Sequence, residues 1–128
     1  MTEQDLQERV SQLVARIDGL ELTDPIRQTI GDLRNQEQWD WSSEAGIYYF
    51  VRDGTVVYVG RAYPSHGIGN RIGSHIAPTD DAAWSEIIND DQTIVGVYPF
   101  PSDDWHWIAS LEVHLIDVET RPKFNKRL

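Results

Sequence analysis

Apolar residues near the start of the chain recur at helical intervals: Leu6, Val10, Leu13, Val14, Ile17 and Leu20 in "LQERVSQLVARIDGL", with Gly19 as a stop. This spacing predicts an amphipathic helix of about four turns. In "TDPIRQTIGDLRNQ", Thr23 or Asp24 can cap, Pro25 suits a first helical position, and Ile26, Ile30 and Leu33 share a face, so a second helix is expected. "WDWSSEA" ends in turn residues and sets a boundary near residue 44. From there the period changes to two: "GIYYFVRDGTVVYVGR", residues 46 to 61, reads as a β-hairpin. After the loop "RAYPSHGIG", short helices are predicted over "GNRIGSHI" and, behind Thr79, over "DDAAWSEIIND". "QTIVGVYPF" is a strand by its β-branched content, closed by Pro99 and Pro101. Ser102 is the expected N-cap of a last helix, "DDWHWIASLEVHLIDVET", with Asp103 and Asp104 in the turn where the helix dipole favours acids. The end, "RPKFNKRL", has no periodicity.

The hairpin has two candidate registers. A two-residue Asp53-Gly54 turn would pair Tyr58 with Tyr49 and send Tyr48 to the other face. A three-residue loop, Arg52-Asp53-Gly54, would pair residue 51 with 55 and set Tyr48 opposite Tyr58. The second is preferred, because it gathers Tyr49, Val51, Val57 and Val59 on one apolar face and brings the two phenols together on the other. Packing alone also accounts for cross-strand aromatics of this kind.

Charge complicates a nucleic-acid reading. With 21 acidic and 11 basic residues the net charge is −10, which repels polyanions at long range. The bases Arg121, Lys123, Lys126 and Arg127 nonetheless cluster in the tail, a local positive patch. Two Lys against nine Arg and thirteen Asp fits a high-salt environment, in which case stability should rise steeply with molar salt. The length of 128 residues suits one core, and the absence of cysteine removes disulfides and thiolate metal sites. No apolar run reaches membrane-spanning length and polar "TEQDLQER" follows Met1, so a cytoplasmic protein is expected.

Several polar residues break the apolar pattern. Glu112 has Ile108, Ala109, Leu115 and Ile116 at i−4, i−3, i+3 and i+4. A carboxylate in a core-facing stripe is costly unless it is paired, hydrogen-bonded or on a metal, so a salt bridge to a buried Arg is the plain alternative. Arg71 and His75 share a helical face at i, i+4, an arrangement suited to an anion that needs a bidentate grip and a proton relay, or simply to two solvated side chains. Gly67, Gly69 and Gly73 allow close approach of a ligand or a neighbouring helix. Asn125 lies between basic residues in the tail, where an amide commonly caps or turns. His66, His106 and His114 are weaker candidates, and Trp84, Trp105 and Trp107 read as core or rim aromatics.

The order "GIY", "YVG", Arg and His four apart, a helical Glu and a late Asn resembles the GIY-YIG nuclease superfamily over roughly residues 45–126. The resemblance implies a small α/β (α+β) domain, 45–128, with a three-stranded, mainly antiparallel sheet flanked by helices, after an N-terminal helical extension, 1–44. It also implies a divalent-metal-dependent DNA endonuclease. Tyr48 and Tyr58 match the tyrosines of the two tripeptides, Arg71 the phosphate-binding arginine, His75 the histidine of many members, Glu112 the metal ligand and Asn125 the late asparagine. The second tripeptide is Tyr-Val-Gly, and Arg61 stands where several members have Lys. One Mg²⁺ or Mn²⁺ on Glu112 is expected, with Tyr48 as general base, directly or through His75, and Asn125 orienting the Glu112 side. DNA would be the substrate, the basic tail a DNA contact, and the extension a lid, a packing layer, or a face for a homodimer or partner protein. The alternative is a catalytically silent module that binds DNA structures or protein.

Overall fold

A computed structural model describes residues 1–101, 103–116 and 121–125. Helix α1 (Glu3–Val14) is opened by a capping box in which Thr2 accepts from the Asp5 amide while the Asp5 carboxylate accepts from the Thr2 amide. Two elements then stand where one helix was predicted: strand β1 (Ile26–Thr29) and helix α2 (Ile30–Arg34), with Thr29 as the cap, its hydroxyl accepting from the Asp32 amide. The local pattern favoured helix across the whole stretch. Pairing with an open strand edge overrides it, since a β-ladder supplies Ile26 to Thr29 with backbone partners that a solvent-exposed first helical turn lacks.

Strands β2 (Gly46–Arg52), β3 (Thr55–Ala62) and β4 (Ile94–Pro99) complete a four-stranded sheet, one strand more than predicted. The order is β1-β4-β2-β3 and every pairing is antiparallel. The additional strand is β1, contributed by the segment ahead of residue 45. That segment also places Leu6, Val10 and Leu20 in the same core cluster as Tyr49 and Val59.

Helix α3 (Ile68–Ile76) follows the hairpin, and α4 (Ala82–Ile88) is capped by Asp81, whose carboxylate accepts from the Trp84 amide at 3.1 Å. The hydroxyl of Thr79, ahead of this helix, accepts from the Asp81 amide. The last helix is shorter at its start than the dipole argument predicted. Residues Trp105–Trp107 form a 3₁₀ turn and α5 spans Ile108–Leu115; Ser102 and Glu119 lie outside the described residues. Gly67 and Gly69 make close approaches to Ser42, a neighbour in the fold, where a Cβ would collide; Gly73 has open space.

The hairpin register combines the two alternatives. Asp53 (φ 52°) and Gly54 (φ 78°) are both left-handed and make a two-residue turn, so Arg52 pairs with Thr55 and Val51 with Val56. A bulge follows: Phe50 pairs with Tyr58, so Val57 is the extra residue. Beyond it the pairs are Tyr49 with Val59 and Tyr48 with Gly60, which corrects the direct Tyr48–Tyr58 pairing. The slip of one residue restores the parity that the two-residue turn would lose, so Tyr48 and Tyr58 do share a face, ring centroids 6.2 Å apart. Val57 joins that face too, and Val56 takes its place beside Tyr49.

Helices cover both faces. One core holds Tyr49, Val51, Val59 and Tyr98 beneath α1 and α5; the other holds Tyr48, Phe50, Val95 and Val97 beneath α2, α3 and α4. The outer edge of β3 is closed by both ends of the described chain. The Val56 amide donates to the Met1 carbonyl at 2.9 Å, and the Phe124 amide donates to the Val57 carbonyl at 3.0 Å. An unpaired edge is a template for aggregation, and these short segments occupy it.

Candidate functional site

Edge strand β3 organises a groove of about 470 Å³ between α3 on one face of the sheet and α5 on the other. Tyr58, Arg61, Arg71, His75, Glu112 and Asn125 all line it. Six of the seven catalytic candidates therefore meet in one place. The seventh, Tyr48, lies directly behind, fully buried, with its hydroxyl 2.9 Å from His75 Nε2.

Local structure fixes each of these positions. The bulge at Val57 turns Tyr58 toward Tyr48 and His75, whose ring is 4.7 Å from that of Tyr58. Gly60 lies under the Tyr48 ring, where a Cβ would come within 2.4 Å of Cζ, so the last residue of the Tyr-Val-Gly triplet is a space requirement. One helical turn separates Arg71 from His75 on α3, and both face the groove as their spacing predicted. The Trp84 indole N–H donates to the His75 carbonyl at 2.8 Å and its ring packs on Phe50, Tyr58 and Phe124, which anchors the end of α3.

The electrostatics divide along the same edge. On the α3 side, burial raises the Tyr48 phenol, the neighbouring Tyr58 adds to this, and Arg71 pulls the other way. Tyr58 is raised as well, first by burial, against the pull of Arg71. Burial and then the Arg71 charge lower His75 from 6.5 to about 4, so the imidazole is neutral at neutral pH. Arg71 itself is exposed and forms no ion pair among the described residues. On the α5 side, Glu112 is 9 % exposed amid Ile108, Leu111, Leu115 and Ile116, and Arg61 Nη1 donates to its Oε1. The partner of this buried carboxylate is thus an arginine of β3 whose own side chain is 43 % exposed.

Asn125 lines the groove with Glu112, but its amide is engaged by β3. Its Oδ1 accepts from the Val59 amide and its Nδ2 donates to the Val59 carbonyl, both at 2.8 Å. The amide thereby copies a strand partner and seals the edge of β3 at the groove wall, with no hydrogen bond to Glu112 among the described residues. Arg121 and Lys123 are exposed beside it; Lys126 and Arg127 lie outside the described residues. Five wall residues were missed as site residues: Val59, Asp81, Trp84, Ile116 and Phe124. Nothing in their local pattern marks them, because Asp81 falls at the start of a predicted helix and the other four are apolar or aromatic residues of core type.

No family model, curated protein or solved structure matches this chain. The geometry of the groove therefore carries the functional reading. Among the described residues no three His, Asp or Glu side chains cluster as a cation cage, and no helix is long and apolar enough to cross a membrane. A hard cation that keeps most of its waters needs less: one carboxylate and the oxygens of a bound phosphate suffice. Glu112 fits that limited role, since Arg61 engages Oε1 and no described residue binds Oε2.

Proposed function

We propose that this chain is a divalent-metal-dependent endonuclease that hydrolyses DNA phosphodiester bonds in the β3 groove. The observation that carries the reading is the convergence of Tyr58, Arg61, Arg71, His75 and Glu112 on one cavity, with Tyr48 hydrogen-bonded to His75 at its floor. Phosphodiester hydrolysis needs a grip on the phosphoryl oxygens, a proton acceptor for the attacking water, and stabilisation of the departing alkoxide.

Arg71, exposed and without a carboxylate partner among the described residues, is the bidentate clamp for the scissile phosphate. The proton of the attacking water enters at His75. Tyr48 has no exposed surface, so it takes part through the shared hydrogen bond, holding the imidazole and adjusting its proton affinity, rather than by touching the water. Burial lowers His75 first and the Arg71 charge second; a bound phosphate opposes the second of these and so raises the basicity of the ring. Tyr58, protonated and half-buried, donates to a phosphate or water oxygen. Glu112 would hold one Mg²⁺ or Mn²⁺, which supplies Lewis-acid polarisation of the phosphoryl group when bound. Arg61, paired with Glu112, balances the carboxylate in the free protein and offers a second cation to the phosphate.

Nicking of supercoiled plasmid and branched DNA with Mg²⁺ or Mn²⁺ tests the proposal. Cutting should be lost on chelation and in Glu112→Ala, and should fall about tenfold or more in Tyr48→Phe. Cutting that persists equally in all three proteins would refute the site. A second reading, a silent DNA-structure or protein-binding module, draws on the net charge of −10 and on the Arg61 partner that already neutralises Glu112. Its signature is binding that survives Glu112→Ala and needs no metal.

A further inference from the structure

Beyond Arg61, at the groove wall, lie aromatic rings that the proposed chemistry does not use. The guanidinium of Arg61, which is bound to Glu112, lies 5.3 Å from the centroid of the Tyr63 ring. Tyr63 in turn meets Trp105 edge to face at 6.0 Å. Trp105 is 47 % exposed, whereas Trp41 and Trp84 are buried and Trp39 and Trp107 half-buried.

The 3₁₀ turn explains this orientation. The Trp107 amide donates to the Asp104 carbonyl at 3.0 Å, and Trp107 packs against the core beneath α1 and α5. With Trp107 held inward, Trp105 is presented outward. An indole face left in water contributes nothing to the fold, yet it offers a flat apolar surface beside a cation and one ring away from a pocket built for an anion.

Resting on the nuclease reading, we propose that Tyr63 and Trp105 form a stacking platform for an unpaired base next to the scissile phosphate. The substrate class is then single-stranded or splayed DNA rather than uninterrupted duplex. The charge distribution favours the same occupant. Asp103 and Asp104 directly precede Trp105, so a phosphate track over this surface is repelled while a neutral base is not. A protein of net charge −10 gains little from counterion release, and stacking is an attraction that its own charge does not oppose.

The test uses the full chain in EDTA, where nothing is cut, with a short oligonucleotide carrying 2-aminopurine, single-stranded or annealed to its complement. Wild type should quench the single strand on binding. Trp105→Ala should bind it roughly tenfold more weakly and lose the quench, Trp105→Phe should retain most of both, and duplex binding should not depend on Trp105. Unchanged thermal unfolding of the variants shows that the fold is intact. The platform is overturned if wild type does not bind the single strand, if Trp105→Ala binds and quenches like wild type, or if single strand and duplex weaken equally. Parallel cleavage with Mg²⁺ separates the two readings. Cutting by wild type with a quench indifferent to Trp105 removes the platform alone, and a Trp105-dependent quench without cutting removes the nuclease alone.

Discussion

Tyr48 and Tyr49 are chain neighbours with the same side chain, and the sheet assigns them to different tasks. Each lies with its ring over a cross-strand glycine: Tyr48 over Gly60 of β3, Tyr49 over Gly96 of β4. Each is fully buried and each phenol is raised, chiefly by burial. Their hydroxyls part company. That of Tyr49 donates to Glu3 at 2.8 Å, and Glu3 is held by Arg27 through two hydrogen bonds of 2.6 and 2.8 Å, which ties α1 to the sheet at β2 and β1. That of Tyr48 meets a neutral imidazole at the floor of an open groove. A buried phenol bound to an ion pair is committed to structure, whereas one bound to a neutral base beside solvent can take part in proton traffic.

This contrast can be broken by substitution, starting with the largest effect. Arg71→Ala should lower plasmid nicking about 10²–10³-fold, the range for removing one donor to a developing oxyanion. Arg27→Ala, the cation of the Tyr49 face, should leave turnover of the folded protein unchanged and lower its denaturation midpoint. Equal loss of turnover in both would erase the distinction between the faces.

Hydroxyl deletion sharpens the comparison. Tyr48→Phe should depress the cleavage rate about tenfold or more through the loss of a group tied to the proton acceptor. Tyr49→Phe should instead cost about 1–2 kcal/mol of stability, read from urea unfolding, because the Glu3 carboxylate loses a buried donor. An added methyl group tests the glycine under the Tyr48 ring by a comparable loss of stability. Gly60→Ala should destabilise by about 1–3 kcal/mol, since Tyr48 must leave its position to admit the Cβ.

The smallest effect concerns pH. His75 is lowered from 6.5 to about 4 on folding, by burial and then by Arg71, so the unfolded chain takes up the proton first. Its contribution is full above pH 6.5 and is lost as pH falls from there toward 4. Burial pulls Glu3 upward, but Arg27 and Tyr49 outweigh it and leave the carboxyl below 4.5, so its contribution persists above that pH and is lost beneath it. Unfolding free energy measured against pH should therefore decline in two steps, the upper one flattened by His75→Gln and the lower one by Glu3→Gln.

Much of the site was legible in residue order. The i, i+4 spacing of Arg71 and His75, and Glu112 within an apolar stripe, are local regularities, and local geometry is enough to read them. The role of Asn125 was not legible. An amide in an aperiodic tail carries no signal of the strand it completes, and its contact with Val59 spans 66 positions of the chain. The helix predicted over residues 25 to 36 failed in its first part for the same reason, Ile30–Arg34 alone being helical: β1 exists through β4, which lies far along the chain.

The sequence by itself determined the hairpin, the amphipathic faces, the acidic balance and the polar residues that break the apolar pattern, because each depends on residue type and short-range period. The tertiary structure decided which residues those chemical groups face. One extra residue at Val57 placed Tyr58 with Tyr48, Arg61 on β3 became the partner of Glu112 on α5, and Tyr49 became a fastening for α1. These are outcomes of register and of helix docking on a sheet. A one-residue slip reverses the face of every side chain beyond it, so they are settled only when the strands and helices pack together.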